Sequence, residues 1–182
     1  MSKITVEQIG ELVEQSKGEN PRVTREILQA FLRNPNAFLR ASVYSATVDY
    51  GKSVEEMVSA GRYDWKNDDI NSKNFPVSGE GTVNVNFELI HLNKGVSSED
   101  ALTHLEENGM RPPTIEELLV FGSSYPEIQR EFPVICLDSS WVDPDGYRSV
   151  PCLHRSGSGR SLSLGWFGNG WRECCRFLAV RK

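Results

Sequence analysis

Most segments that predict helices lie before about residue 132, and the segments after it predict short strands joined by glycine-rich turns. Capping boxes mark helix starts at Thr5, Ser53 and Thr114, where Glu or Gln follows three residues later. Near the C-terminus, the apolar runs FPVICL, RSLSLGWF and RFLAV are separated by the turn sequences DPDG, SGSG and GNG. Helices that precede a run of strands predict an α+β fold rather than alternating βαβ units.

The first forty residues are interpreted as a helical annex. Apolar residues at helical spacing predict helices over residues 5–18 and 24–33. A chain of 182 residues, 38% of them hydrophobic, is long enough for one sizeable core. We therefore predict an N-terminal annex over residues 1–40 and a single domain over residues 41–182.

The middle of the chain predicts strands that are each followed by a capped helix. The segment ASVYSATVDY precedes a helix that ends at Gly61, and the alternating segment TVNVNFELIHL precedes a helix opened by Ser98. Residues 62–81 are polar and rich in Asn, Asp and Gly, which predicts a loop whose order the sequence leaves open. We expect the helices over 98–108 and 114–122 to pack on a sheet that ends with a paired strand over 176–181.

Charge is unevenly distributed along the chain. The net charge is −5, but the segment from Ser140 to Lys182 carries +4 and three of the four tryptophans. The overall acidity argues against a nucleic-acid binder. The least favoured alternative is a nucleic-acid-associated regulator that uses the basic residues of this tail, namely Arg148, Arg155, Arg160, Arg172 and Arg176.

Neither a membrane span nor an export signal is predicted. No apolar run approaches the roughly 18 residues of a spanning helix. The N-terminal sequence MSKITVEQIGELVEQ is acidic and amphipathic, whereas a signal peptide has a basic stretch followed by an apolar one. A soluble protein is expected, while a cytoplasmic or virion-associated location and a viral or prokaryotic origin stay open.

The residues that usually carry metal sites and catalysis do not form a recognisable set. The cysteines show no CxxC spacing, so no metal or other cofactor is predicted and all four are expected to be reduced. His91 follows a predicted strand and His104 lies within a predicted helix. Histidines at such positions are more often structural than catalytic. No nucleophile elbow or phosphate-binding glycine loop is present, so the residues predict no enzyme.

The segment GMRPPTIEELLVFG, followed by glycine-rich strands with tryptophans and the closing strand RFLAVR, resembles a known family. It looks like the C-type-lectin-like fold in the version shared by formylglycine-generating enzymes and the variable proteins of diversity-generating retroelements. The matching residues of the helix start are Gly109, Arg111, Pro113, Thr114 and Glu117. Pro112 stands where that group usually has Leu. The resemblance covers about residues 80–182.

The resemblance implies a non-catalytic ligand-binding protein with a variable segment over about 139–182. In the retroelement proteins, selected codons rich in adenine are rewritten during copying, which yields Ser, Gly, Arg or Cys, and these residues crowd the segment 156–175. The ligand is expected to be a macromolecule of unknown identity, and a protein is the expected kind. The positions that we assign to ligand binding are His154, Ser156, Ser158, Ser163, Gly165, Gly170, Arg172, Cys174 and Cys175.

Two alternatives stand beside this interpretation. The segment is also consistent with ordinary glycine-serine loops beside a tryptophan core. The chain could instead be an enzyme of the formylglycine-generating superfamily with a non-standard site. Those relatives bind copper through a closely spaced cysteine pair, whereas Cys152 here stands alone in the sequence and Cys174 adjoins Cys175.

The ligand-binding interpretation makes a prediction about exposure, because a changeable residue cannot fill a close-packed core. The positions expected to be exposed on one face are Ser163, Gly165, Gly170, Arg172, Cys174 and Cys175. The positions expected to point mainly inward are Leu162, Leu164, Trp166 and Phe177.

Overall fold

The computed structural model describes residues 44–182. The helices of this part are α1 (Val54–Gly61), α2 (Ser98–Glu107), α3 (Ile115–Ser124) and α4 (Ile128–Glu131). Its strands are β1 (Tyr44–Asp49), β2 (Trp65–Lys66), β3 (Thr82–Ile90), β4 (Met110–Arg111), β5 (Val134–Ile135), β6 (Trp141–Val142), β7 (Arg148–Ser156), β8 (Gly159–Trp166) and β9 (Arg176–Arg181). The predicted helical annex over residues 1–40 lies outside the described residues.

The strands of the described residues form one mixed sheet in the order β1-β3-β9-β5-β7-β8-β2, with β4 beside β9 and β6 beside β7. The last strand, β9, pairs antiparallel with β3 and parallel with β5. The longest ladder joins β7 to β8, from Ser149 opposite Trp166 to Ser156 opposite Gly159. The α+β class and the paired strand near 176–181 are therefore confirmed.

Helices α1 and α3 begin where the sequence predicts. Ser53 and Thr114 both form capping boxes, in which each side chain accepts a hydrogen bond from the backbone N–H three residues on. The N-cap of α2 is Ser97 and not Ser98, because the Ser97 hydroxyl accepts from the Asp100 N–H. The hydroxyl of Ser98 is consequently free for another contact, and that residue is completely buried.

Apolar side chains cover both faces of the central strands. The larger core lies around α1 and α3 and includes Leu153 and Leu162. A smaller cluster on the opposite face includes Cys152, which precedes Leu153 on β7, together with Trp171 and Phe177. Because β7 is packed on both faces, alternation along it separates two cores rather than core from solvent.

The segment 62–81, whose order the sequence left open, is tied into the fold. Its short strand β2 pairs parallel with β8. The Asp64 N–H donates to the Arg160 carbonyl at 2.9 Å, and Ile70 and Phe75 are buried in the larger core. At its end, the Ser78 N–H donates to Glu116 Oε1 at 2.8 Å.

The motif that carries the family resemblance forms an ion pair between the half-buried Arg111 and the buried Glu117. Arg111 reaches both carboxylate oxygens of Glu117, with N–O distances of 2.8 and 2.6 Å. Burial by itself raises the pKa of Glu117, but hydrogen bonds from Arg111 and from the Thr114 N–H lower it below its ordinary range. Tyr50 also donates to Glu117 at 3.0 Å, and burial with this carboxylate nearby raises the pKa of Tyr50 to about 12. The motif therefore fixes the start of α3.

Candidate ligand-binding site

The nine predicted ligand-binding positions lie on the β7–β8 hairpin and on the connection from β8 to β9. The exposed ones are Ser156, Ser158, Gly170, Arg172 and Cys174. The half-buried ones are His154, Ser163 and Gly165. Cys175 is buried, with 8% of its surface exposed.

Gly165 does not behave as a changeable position. It lies opposite Val150 on β7, on the face covered by the smaller cluster. A Cβ atom at Gly165 would lie 2.8 Å from both the Cys152 Sγ and the Trp171 ring, which is closer than such contacts permit. The expectation that Gly165 displays a variable side chain is therefore corrected, because the site leaves no room for one.

Two further expectations about exposure are wrong. Cys175 was expected to be exposed, but its N–H closes a turn onto the Arg172 carbonyl at 3.0 Å and its side chain packs in the smaller cluster. Trp166 was expected to point inward, but it is 46% exposed at the end of β8 and packs edge-on against Tyr147. Leu162 and Phe177 are buried as predicted, and Leu164 is half-buried against the larger core.

The loop after β8 is fixed by Trp171. The Trp171 Nε1–H donates to the Ser98 hydroxyl at 2.8 Å, and that hydroxyl donates to the Phe167 carbonyl at 2.7 Å. Trp171 and Val96 also exchange backbone hydrogen bonds of 2.8 and 3.1 Å. These contacts hold both ends of the loop 167–171 against the start of α2, so the indole is a rigid wall.

Beside this indole lies a cavity of about 400 Å³, which we call the Trp171 cavity. Its floor is a row of paired residues across three strands, Ile135, Cys152 and Ser163. The residues that line it are Gln129, Arg130, Glu131, Phe132, Pro133, Ile135, Cys152, His154, Arg155, Ser163, Trp171 and Cys175. Three predicted positions, distant in sequence, therefore meet there: His154, Ser163 and Cys175.

The remaining exposed positions do not line the Trp171 cavity. Ser156 and Ser158 lie at the end of the β7–β8 hairpin, and the Ser158 carbonyl accepts from Arg130 at 2.7 Å. Cys174 lines a second cavity of about 440 Å³. Glu131 and Phe132 line both cavities, so the two are neighbours.

Sequence reasoning missed the contribution of α4, because Gln129 and Arg130 belong to a single helical turn with no motif. The least favoured alternative, a nucleic-acid-associated regulator, used Arg160 as part of a basic surface, whereas Arg160 is only 6% exposed. The Arg148 guanidinium lies over the Phe167 ring at 3.9 Å, and that of Arg176 over the Phe132 ring at 4.5 Å. The arginines of the nucleic-acid alternative therefore do not form one free basic surface.

The thiols beside the cavity are poor nucleophiles. Burial raises the pKa of Cys152 to about 12 and also raises the pKa of Cys175. Within residues 44–182, no group of three or more His, Cys, Asp or Glu residues is arranged to hold a metal ion. No helix in that same part of the chain is long and apolar enough to cross a membrane.

The chain matches no protein-family model, no curated protein and no solved structure. The fold is therefore defined at the level of an α+β domain built on a mixed sheet.

Proposed function

We propose that this chain is a non-catalytic ligand-binding protein, in which a C-type-lectin-like scaffold displays diversified residues as the variable proteins of diversity-generating retroelements do. The observation that carries the proposal is that His154 and Ser163, two predicted positions that are half-buried, line one cavity together with the packed residues Trp171 and Cys175. A ligand pocket is typically concave and mostly apolar, with a few polar groups that fix orientation. The Trp171 cavity has this composition.

The division between rigid and changeable residues also supports the proposal. The walls are held by Trp171 through its hydrogen bonds to Ser98 and Val96. The side chains of Arg172 and Cys174 are exposed, so that changes there leave the packing intact. Binding sites built this way keep a fixed scaffold and vary the exposed loop residues.

The decisive test is the gene itself. We expect a neighbouring reverse transcriptase gene and a near-copy of the 3′ end of this gene that differs only at adenines. Between related isolates, codons for Ser163, Arg172 and Cys174 should vary, whereas the codon for Gly165 should not, because a side chain there would collide with Trp171. The absence of both the transcriptase and the near-copy would refute the retroelement assignment.

A second candidate function, an enzyme of the formylglycine-generating superfamily, is favoured by one observation. Cys152 and Cys175, which are separate in sequence, line the same cavity, and those relatives bind copper through two cysteines. The fit is poor, because metal-binding thiols must lose their protons and burial raises the pKa of both of these. Copper-dependent oxidation of a cysteine peptide that Cys152→Ser and Cys175→Ser abolish, and Cys136→Ser does not, would favour the enzyme.

A further inference from the structure

The strand registers decide which side chains face the Trp171 cavity. Cys152 on β7 belongs to the smaller cluster, on the cavity side of the sheet. Side chains alternate along a strand, so His154 faces the same side as Cys152 and Arg155 faces the opposite side. On β8, Ser163 is paired with Cys152 and therefore also faces the cavity. The polar groups that these two strands direct towards the cavity are thus an imidazole and a hydroxyl.

The charged residues of the lining do not offer their charge to a ligand inside the cavity. Arg155 faces the other side of the sheet, and Arg130 is engaged, since its Nε lies 3.3 Å from Glu127 and it donates to the Ser158 carbonyl at 2.7 Å. Glu131 is exposed and also lines the second cavity, so water and salt screen its carboxylate. A charged group that entered the cavity would lose its hydration without gaining a partner, which is costly. An uncharged ligand group is therefore expected.

The apolar part of the lining suits a flat ring. Trp171 contributes an indole, and Phe132 and Pro133 contribute two more rings. The floor carries the short side chains of Cys152 and Ser163. Aromatic rings pack favourably against one another in offset or edge-on arrangements. An aromatic ring therefore complements this lining better than a branched aliphatic group.

The imidazole at the cavity presents a hydrogen-bond acceptor. His154 Nδ1 lies 3.1 Å from the Arg155 carbonyl, and because a carbonyl only accepts, Nδ1 carries the proton. In the neutral ring, Nε2 is then an acceptor, and it has no hydrogen-bond partner among the described residues. His154 is half-buried, so a ligand that displaces water from Nε2 has to supply a donor in its place.

The surface beside the cavity suits a protein. Trp65 is paired with Ser161 on β8, and Ser161 is paired with His154 on β7, so the three residues form one row on the cavity side of the sheet. The Trp65 side chain is 54% exposed. A small molecule held in the cavity would leave this indole in water, whereas a protein surface would cover it. Exposed aromatic residues beside a concave site are typical of protein interfaces.

We propose that the Trp171 cavity receives a tyrosine side chain of a partner protein. The ring packs against the Trp171 indole over Cys152, and the hydroxyl donates to His154 Nε2. Tyrosine joins an apolar ring to a polar tip, and it is enriched among the residues that dominate binding at the centre of protein interfaces. This inference rests on the proposed ligand-binding function and names the group that the ligand inserts.

Fluorine NMR of the full chain labelled with 5-fluorotryptophan locates the binding. The chain has four tryptophans, so the variants Trp65→Phe, Trp141→Phe and Trp166→Phe assign three resonances and leave the fourth to Trp171. The probe is N-acetyl-tyrosine-N-methylamide, for which we expect a Kd in the millimolar range. It should shift the Trp171 resonance saturably. Trp166, which is paired with Ser149 on the other side of the sheet, should not respond.

A series of small rings tests the chemistry. The four probes are 4-methylphenol, 4-methylanisole, 4-methylbenzoate and 4-methylbenzylamine. The phenol and the anisole differ in the hydroxyl donor, so the phenol should bind about twofold to tenfold more tightly, as expected for one neutral hydrogen bond. The anion and the cation should both bind more weakly than the phenol.

Matched variants identify the side chains that contact the probes. His154→Phe keeps a ring and removes the acceptor, so it should abolish the preference for the phenol over the anisole. Arg155→Met alters the next residue of β7, which faces the other side of the sheet, and should change the affinity of no probe. Ser163→Leu should abolish binding of every probe by filling the floor of the cavity. An unchanged Trp166 resonance shows that each variant is folded.

Tighter binding of either ion, a phenol preference that persists in His154→Phe, weaker binding in Arg155→Met or no saturable shift of Trp171 would overturn the inference. Binding of 4-methylphenol without binding of the tyrosine amide would overturn it too, because the cavity would then exclude a ring attached to a polypeptide. These results are independent of the gene test. A gene without the near-copy removes the retroelement assignment and leaves the cavity chemistry intact, whereas failed binding with the near-copy present removes only the chemistry.

Discussion

Arg160 is a buried cation without a carboxylate partner among the described residues, and its replacement tests how this charge is stabilised. Its guanidinium donates to the carbonyls of Gly61 and Gly122 at 2.7 and 2.6 Å, and to Gln129 Oε1 at 3.2 and 3.0 Å. Gly61 ends α1 and Gly122 lies in the last turn of α3. Helix C-terminal carbonyls carry partial negative charge, so two helix ends compensate the cation.

The change Arg160→Met keeps the apolar stem and removes every donor. Each buried acceptor left without a partner costs about 1–3 kcal/mol, and three acceptors are affected. Part of this loss is offset, because the variant no longer has to bury a charged group, which is itself costly by several kcal/mol. We therefore expect the free energy of unfolding to fall by about 2–4 kcal/mol.

Urea unfolding of the full chain, followed by tryptophan fluorescence, measures this loss. With a typical slope of about 1–3 kcal/mol per molar urea, the midpoint should fall by on the order of 1 M. The matched control is Arg155→Met, because Arg155 lies directly opposite Arg160 in the same hairpin but is exposed. It should shift stability by no more than about 0.5 kcal/mol. Equal midpoints for the two variants would refute the proposed role of the helix ends.

Three other outcomes are expected. Gly165→Ala should lower the free energy of unfolding by about 1–3 kcal/mol through overpacking, whereas Gly170→Ala, with its nearest neighbour at an ordinary 3.5 Å, should have little effect in the same urea titration. The folded-state pKa of Glu117 lies below its ordinary 4.5, so the stability that this carboxylate contributes at neutral pH should be lost as pH falls below about 4.5. In an acid titration, Glu117→Gln should lack this pH-dependent loss of stability. Identical pH profiles for the variant and the unaltered chain would contradict this role of Glu117. In the native protein, a thiol reagent should label Cys174 rapidly and the three buried cysteines only on unfolding, as mass spectrometry would show.

Local signals were sufficient for the starts of α1 and α3 and for the class of fold. The side chains that cap α1 and α3 sit a fixed distance along the chain from the groups they bind, so Ser53 and Thr114 could be recognised from spacing alone. The strand RFLAVR was recognisable from its apolar composition, because a buried strand is rich in apolar residues. That β9 pairs with both β3 and β5 depends on residues far apart in sequence.

The candidate site was decided by tertiary structure. Alternation along β8 correctly separated Leu162 from Ser163, but only the packing of Trp171 shows that the Ser163 face is covered. Cys175 and Cys152 meet because the 172–175 turn folds over β7, which no spacing encodes. Burial of Arg160 likewise depends on the ends of two helices. A sequence determines contacts between residues a few positions apart, whereas the space left for a side chain depends on every segment that packs around it.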